Sequence, residues 1–496
     1  MIKASAMEWR TIRRQVEHIV KQLEGPRRFS EIIVVTDSYE GPFARQYDSG
    51  DWTKIREALD LLVERGAIDR YVVSPSGEAL RTVSSKWFGL FTTNARCENG
   101  QPTLATLYGF EQCKGDFILQ VDSDCLIGRK DRNHDYMDEM LEVFSQDQRA
   151  LTISIPIAAN EKLPLTTSNA EGKWRTEVRC CVISKSRLEK LLPLPNSLNE
   201  EGILKLPWHR AVDLALKESG WQSYRGGDPK TFFIHIPNDR KFGFNAWYNI
   251  MKAVESGKVN SRQAGCVNLI GNVEEWLEGR DEDLVFVVRG RNVPPSKVRR
   301  CFNSLLAQQD QSFGVVAIDA ASDNGMDEFL ENVVGRKLGN RMTLYRNLEP
   351  ATPIENIFVA VRKLCVSPNS IIALLDADDA LIGKNVVCIL KEIYAKGADV
   401  TVGSMLRTDK YAEYPVDFSH PRRKRGGNVW QHLRTFRKYL FDQIDEEDFK
   451  IEGKWLPHTE DWAYMLPIVE MAKHPVHITE PLYFYEPTGK SALSVI

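Results

Sequence analysis

The 496-residue sequence has almost no net charge, since 65 lysines and arginines oppose 68 aspartates and glutamates. Without a global basic excess, nothing in the overall charge argues for wrapping nucleic acid or lying on an anionic membrane, and any polyanion contact must be local. Cys-x-x-Cys pairs are missing, and the nine cysteines stand singly apart from Cys180 and Cys181. That pattern argues against a zinc site or a disulfide framework and fits reduced cytosolic thiols. No stretch reaches the roughly 18 apolar residues of a membrane span. The opening MIKASAMEWRTIRRQVEHIV also lacks the apolar centre of a signal peptide. The expectation is a soluble, cytoplasmic protein. What is present is the balance of a globular chain, 43% apolar and 27% charged, long enough for two domains.

Residues 7–24 place Trp9, Ile12, Val16, Ile19, Val20 and Leu23 near helical spacing before Gly25-Pro26, which predicts an N-terminal docking helix within 1–28. EIIVVTD (31–37) is a continuous β-branched apolar run suited to a strand buried on both faces. A helix at 52–65, a strand at 71–75, a helix at 104–113 and the strand DFILQVDSD (116–124) follow. The same order recurs as strand DLVFVVRG (283–290), a helix at 296–308, strand and turn FGVVAIDAASDNG (313–325), and strand IIALLDADD (371–379). Alternating strands and helices define an α/β class.

Asp122 and Asp376 lie 254 residues apart, as do Asp124 and Asp378, and Trp208 and Trp462. Val35 precedes Asp122 by 87 residues and Val288 precedes Asp376 by 88. These anchors predict a duplication: a first domain over 29–250, a helical linker over 251–282 and a second domain over 283–496.

Each half thus ends an apolar strand in Asp-x-Asp. Two carboxylates one residue apart at the carboxyl edge of a sheet can aim at one hard cation, Mn2+ or Mg2+, and so neutralise a diphosphate leaving group. Phosphatases of the haloacid dehalogenase type place such a pair on their first strand, whereas both pairs here lie nearly ninety residues in. Nucleotidyltransferases need a glycine-rich loop after strand one, which TDSYEGPF and VRGRNVPPS do not supply.

Across nearly all of 283–496, VVRGRNVPPSKVRRCFNSLLAQQDQSFGVVAIDAASDNG followed by ALLDADDAL resembles family 2 glycosyltransferases, including bacterial members. The resemblance implies two tandem Rossmann-like domains of the GT-A fold and a nucleotide-sugar donor, UDP-linked by expectation. By that likeness Asp319, with Ser322 and Asp323, holds the uracil or ribose, Asp376 the ribose, and Asp378 the metal. Glu460 and Asp461 before Trp462 resemble the family's Glu-Asp pair, which makes Asp461 the general base of an inverting transfer. WQHLRTFRKYLF (430–441) resembles a segment near the acceptor, so His432, Arg434 and Arg437 become diphosphate or acceptor candidates, with an ordinary amphipathic helix as the alternative.

The first half matches more loosely. Asp122 and Asp124 inherit ribose and metal roles, Asp37 the nucleotide base, and His235 a third metal ligand. Leu206 and Pro207 stand where the second half has Glu460 and Asp461, and Glu200, Glu201, His209 and Asp213 are the nearby substitutes. Arg225 in SYRGGD is a candidate phosphate grip or an ordinary turn. RRKR (422–425) is a positive loop that could meet an anionic acceptor or simply stay solvated. Several readings stay open. The chain is a bifunctional glycosyltransferase acting on a glycan or other hydroxyl, or a single-activity enzyme whose first domain only binds acceptor. It could instead modify nucleic acid or protein, or be a non-enzymatic sugar-binding scaffold.

Overall fold

The computed structural model describes residues 1–41, 49–167, 176–241, 243–409, 414–423 and 428–487. The chain divides within the helix Phe244–Glu255. One unit comprises Met1–Gly243 with Ile250–Gly271, the other Phe244–Asn249 with Asn272–Ile496. Residues 251–271, expected as linker, thus belong to the first unit.

Each unit is built on an eight-stranded mixed sheet. In the second, Leu284–Gly290 lies parallel between Gly314–Asp319 and Ile371–Asp376, Met342–Arg346 extends the parallel side, and Arg434–Arg437 runs antiparallel beyond Ile371–Asp376. Leu284 to Val288 are all buried, as expected of a strand covered by helices on both faces. Phe286 meets Phe313 edge-on, ring centroids 5.3 Å apart. The first unit repeats this order. Ile2–Lys3 lies parallel between Ile33–Thr36 and Phe117–Asp122, flanked by Arg70–Val73 and by antiparallel Cys180–Ser184. Two tandem α/β units of one Rossmann-like topology result.

The repeat holds in a different register from the one the sequence suggests. The central strand of the first unit is the two-residue Ile2–Lys3, while Ile33–Thr36 takes the place of Gly314–Asp319. The segment 1–28 is therefore part of the first unit's core and not a separate docking helix. Lys3 pairs with Asp122 in the ladder as Arg289 pairs with Asp376. The stretch 430–441 is likewise not one helix, because Arg434–Arg437 is a strand.

Helix Ile12–Leu23 buries Ile12, Val16, Ile19 and Leu23 along one stripe. His18 lies on the same face, wholly buried. Its Nε2 accepts from the Ile127 amide at 2.8 Å, so Nδ1 carries the proton and donates to Glu255 Oε1 at 2.9 Å. Burial lowers the His18 pKa, against the opposing pull of Glu255. Burial would raise Glu255, but its bond and charge contact with His18, together with two lysines, hold its carboxyl well below the usual range. Both folded-state values are depressed, so the stability these groups contribute is present near neutral pH. The His18 part is lost as pH falls below about 6.5, where unfolded histidine takes up a proton, and the Glu255 part only below about 4.3, where the unfolded carboxylate does. His18→Ala is expected to cost about 2–3 kcal/mol at pH 7.5 and to flatten the stability loss between pH 7.5 and 5, both read by urea unfolding. An equally steep pH dependence in the variant would remove His18 from this role.

Candidate functional sites at the carboxyl edges

Carboxyl ends of parallel strands converge where strand order reverses, and an open α/β sheet places its ligand crevice there. In the second unit, Asp376 ends its strand, with Asp378 and Asp379 in the turn after it. Arg289, at the end of the central strand, reaches Asp376 Oδ1 at 3.3 Å and Glu460 Oε1 at 3.0 Å. It thereby ties the carboxylate strand to the start of helix Glu460–Met471. Burial works against the Arg289 charge, but Asp376 and Glu460 raise its pKa further.

Asp461 is the second residue of that helix, and Arg434 Nη2 stands 3.5 Å from its Oδ2. Arg434 is itself buried, donating to the Trp430 carbonyl at 2.6 Å and the Tyr464 hydroxyl at 3.2 Å. His432 stacks on Tyr483, ring centroids 4.4 Å apart, with Nε2 3.8 Å from Asp376 Oδ2. Burial and the Arg434 and Arg289 charges keep its imidazole neutral.

Asp319 ends the neighbouring strand and is 2% exposed. The Ser322 amide donates to its Oδ2 at 3.3 Å, while Oδ1 is buried with no hydrogen-bond partner among the described residues. An orphaned acceptor at a ligand edge suits an N–H or hydroxyl donor from a ligand. Asn292 and Ala321, at φ 52° and 61°, hold left-handed backbone in the turns beside it. Asp323 is exposed, and its amide donates to Asn292 Oδ1 at 2.9 Å. The structure does not bring Arg437 to this edge. It pairs with Ile371 at the far end of the strand and donates to the Asn369 carbonyl.

In the first unit, Asp122 and Asp124 open on a cleft of about 1420 Å³. Lys3 Nζ lies 2.6 Å from Asp122 Oδ1, and Lys241 Nζ lies 2.6 Å from Asp124 Oδ2. His235 Nε2 approaches the same Asp124 oxygen at 3.5 Å, while its Nδ1 bonds Asn268 Oδ1 at 2.8 Å. Burial disfavours the Asp124 charge, yet Lys241 and His235 outweigh it and drive the carboxyl pKa far down. Glu8 reaches the cleft from a capping box, accepting from Ser123 Oγ at 2.7 Å. Asp37 is engaged elsewhere: Arg96 grips both its oxygens at 2.8 Å, and it does not line the cleft.

Helix Trp208–Ser219 begins at Trp208, whereas helix Glu460–Met471 begins two residues before Trp462, so the 254-residue register puts Pro207, and not His209, at the place of Asp461. Burial, with Lys3, lowers the His209 pKa to about 4, leaving it neutral near pH 7. Glu200 and Glu201 are exposed outside the cleft, and Asp213 accepts from the Thr176 amide at 2.8 Å. Arg225 lies in strand Gln222–Gly227 and not in a turn, 3.6 Å from Glu177. Of the RRKR patch, Arg422 pairs with Glu470 at 2.8 Å, and Lys424 and Arg425 fall outside the described residues.

No known protein family matches the sequence, and no curated protein does either. Solved structures match part of the chain at low identity. They include Staphylococcus aureus TarS 1–349, 16% identical, with TM-score 0.34 over 41% of this chain and 60% of that one. The same fragment in complex with UDP-GlcNAc matches at 16% identity and TM-score 0.33, over 42% and 59%. A mannosyltransferase from Pyrobaculum calidifontis, in complex with GDP-Man and Mn2+, matches at 12% identity and TM-score 0.30, over 42% and 57%. This chain therefore spans less than two thirds of the length of each.

The two sites differ in their fitness for a divalent cation. In the second, Asp378 has no ion pair among the described residues, and burial together with Asp376 raises its pKa. Burial pushes Asp379 up to about 7, with Asp376 and Asp378 adding to the effect against hydrogen bonds from the Glu486 amide and Tyr483 hydroxyl. Burial opposes the ionisation of both carboxylates, which a hard cation beside them would relieve, but among the described residues the one three-ligand cluster close enough to share an ion is His134, Glu139 and Asp228 in the first unit. In the first, Lys241 already stands against Asp124, and the expected ligands Asp124 and His235 do not fit a divalent ion in this arrangement.

Sequence reasoning missed Lys3, Lys241, Glu8 and Arg289. Lys3 and Arg289 had a usable signal, a cation closing the strand beside the Asp-x-Asp strand. Lys241 had none.

Proposed function

We propose that the chain is a glycosyltransferase whose second unit moves a sugar from a nucleotide-sugar, UDP-linked by preference, to an acceptor hydroxyl with inversion. The observation that supports this most directly is the bridge by which Arg289 joins Asp376, the first carboxylate of the Asp-x-Asp pair, to Glu460, the neighbour of Asp461, at one sheet edge. A strand-end carboxylate triad and a carboxylate at a facing helix start provide the two charges that inverting transfer needs on opposite sides of an anomeric carbon.

Asp319, with its unpartnered oxygen, receives the base or ribose of the donor, and Asp376 the ribose. Asp378, beside Asp379, would hold Mn2+ or Mg2+, which when bound offsets charge developing on the departing diphosphate. Asp461 takes the proton of the acceptor hydroxyl. Arg434 fixes the orientation of that carboxylate, and Arg289 holds Glu460 so that the helix start faces the carboxylate strand.

The first unit is a second nucleotide-binding unit of the same topology. Pro207 in the place of Asp461 favours a reading in which this unit binds donor or acceptor while the second performs the transfer. No helix among the described residues is long and apolar enough to cross a membrane.

The test is a panel of UDP- and GDP-sugars incubated with the full chain and Mn2+, with release of nucleoside diphosphate measured with and without simple glycan acceptors. At least one donor is expected to turn over, faster with acceptor present. No release from any donor, under conditions where the chain binds nucleotide, would leave a binding scaffold as the better reading.

A further inference from the structure

The first Asp-x-Asp pair carries its own cations. Lys3 and Lys241 each sit 2.6 Å from one carboxylate, with side chains only 18% and 17% exposed. The second unit repeats half of this, since Arg289 meets Asp376 as Lys3 meets Asp122. It does not repeat the other half. Asp378 has no ion pair among the described residues, and Tyr485 faces its turn at the register position His235 holds in the first unit. Lys241 is the feature that separates the two sites.

A divalent ion bonded to Asp124 Oδ2 at about 2.1 Å would lie within about 5 Å of the Lys241 ammonium, and like charges repel strongly in so buried a place. The charge such an ion would bring is already there. Six lysines and arginines line the cleft against five aspartates and glutamates. Two of the guanidiniums, Arg179 and Arg225, converge on the single carboxylate of Glu177, at 3.1 and 3.6 Å. An ammonium has three donors, and one directed at Asp124 leaves others for phosphate oxygens.

We infer that the first unit binds the diphosphate of a nucleotide or nucleotide-sugar without a divalent cation, with Lys241 held by Asp124 in the position an ion would occupy. This rests on the reading of that unit as a nucleotide-binding one. The two halves of the chain then differ in cofactor requirement, the first metal-independent and the second metal-dependent.

The experiment is calorimetric titration of UDP into the full chain carrying Asp378→Asn, which silences the second cation site, in EDTA and again in Mn2+. One UDP is expected to bind in EDTA, with affinity changed by less than about threefold on adding Mn2+. Adding Lys241→Ala should weaken UDP in EDTA by about tenfold or more, the loss of one charge-assisted phosphate contact. Mn2+ should then restore part of the affinity, because the carboxylates are unbalanced. Lys241→Arg should retain binding, and circular dichroism with a second variant, Lys241→Gln, guards against simple unfolding. UDP binding that appears only with Mn2+, or that Lys241→Ala and Lys241→Gln leave intact in EDTA, would overturn the inference while the nucleotide reading stands. Absence of UDP binding in both EDTA and Mn2+ would overturn both.

Discussion

Asp378→Ala is expected to lower metal-dependent release of nucleoside diphosphate by roughly 100- to 1,000-fold, with the chain still folded. Asp378 lies in the turn after strand Ile371–Asp376, beside Asp376 and Asp379. Burial and Asp376 oppose its ionisation against the weaker pull of Lys297 and Arg289, so a cation bound beside it would favour the carboxylate. Removing the side chain relieves like-charge crowding and leaves little reason for the fold to suffer. It also removes an oxygen a hard cation would bind, and the departing diphosphate then loses the charge that stabilises it. Steady-state rates at saturating Mn2+, with circular dichroism as the folding control, check this. Turnover within a few-fold of wild type would displace Asp378 from the site, and with it the metal-dependent reading of the second unit. Because the first unit is expected to bind UDP through Lys241, nucleotide binding there should survive the substitution.

Asp461→Asn is expected to reduce kcat by about 100- to 10,000-fold with donor KM little changed, the size of effect general-base catalysis supplies. Asparagine matches aspartate in volume and keeps an oxygen for Arg434, so the helix start and the contacts of Arg434 with Tyr464 and Trp430 should persist. What it cannot do is accept the acceptor's proton. The separation of kcat from KM matters, because a residue serving only as a helix N-terminal acid would alter stability while leaving the chemical step alone. A kcat within about threefold of wild type, with lowered stability, would assign Asp461 to capping instead of catalysis.

Much of the second unit was legible in its residues. Leu284–Gly290, Gly314–Asp319 and Ile371–Asp376 are long apolar runs, and runs of that kind announce buried parallel strands whatever surrounds them. The carboxylates after them and the Glu-Asp pair before Trp462 are local features that survive in one dimension. Other features were illegible for identifiable reasons. Ile2–Lys3 is two residues long and gives no periodicity, so the first half appeared to begin one strand late and 1–28 looked like a separate helix. The segment around Arg434 fits helical spacing as well as a strand, and only its pairing with Ile371–Leu374 settles the matter. That pairing also carries Arg437 to the wrong edge for a donor contact, three residues from Arg434 but at the opposite end of the strand.

By itself the sequence determined the α/β class, the duplication, and the placement of an Asp-x-Asp pair after a buried strand in each half, because hydrophobic runs and their spacing are written locally. Only the tertiary structure decided what those carboxylates face. Lys241 and Asp124 are distant in the chain and meet through the reach of a lysine side chain across a folded cleft. The strand beside Asp122 supplies Lys3 where the strand beside Asp376 supplies Arg289. Charge pairing of that kind depends on distance in space and on exclusion of water, neither of which leaves a pattern along the chain. Two Asp-x-Asp motifs thus became two different sites, one balanced by its own lysines and one whose second carboxylate has no ion pair among the described residues.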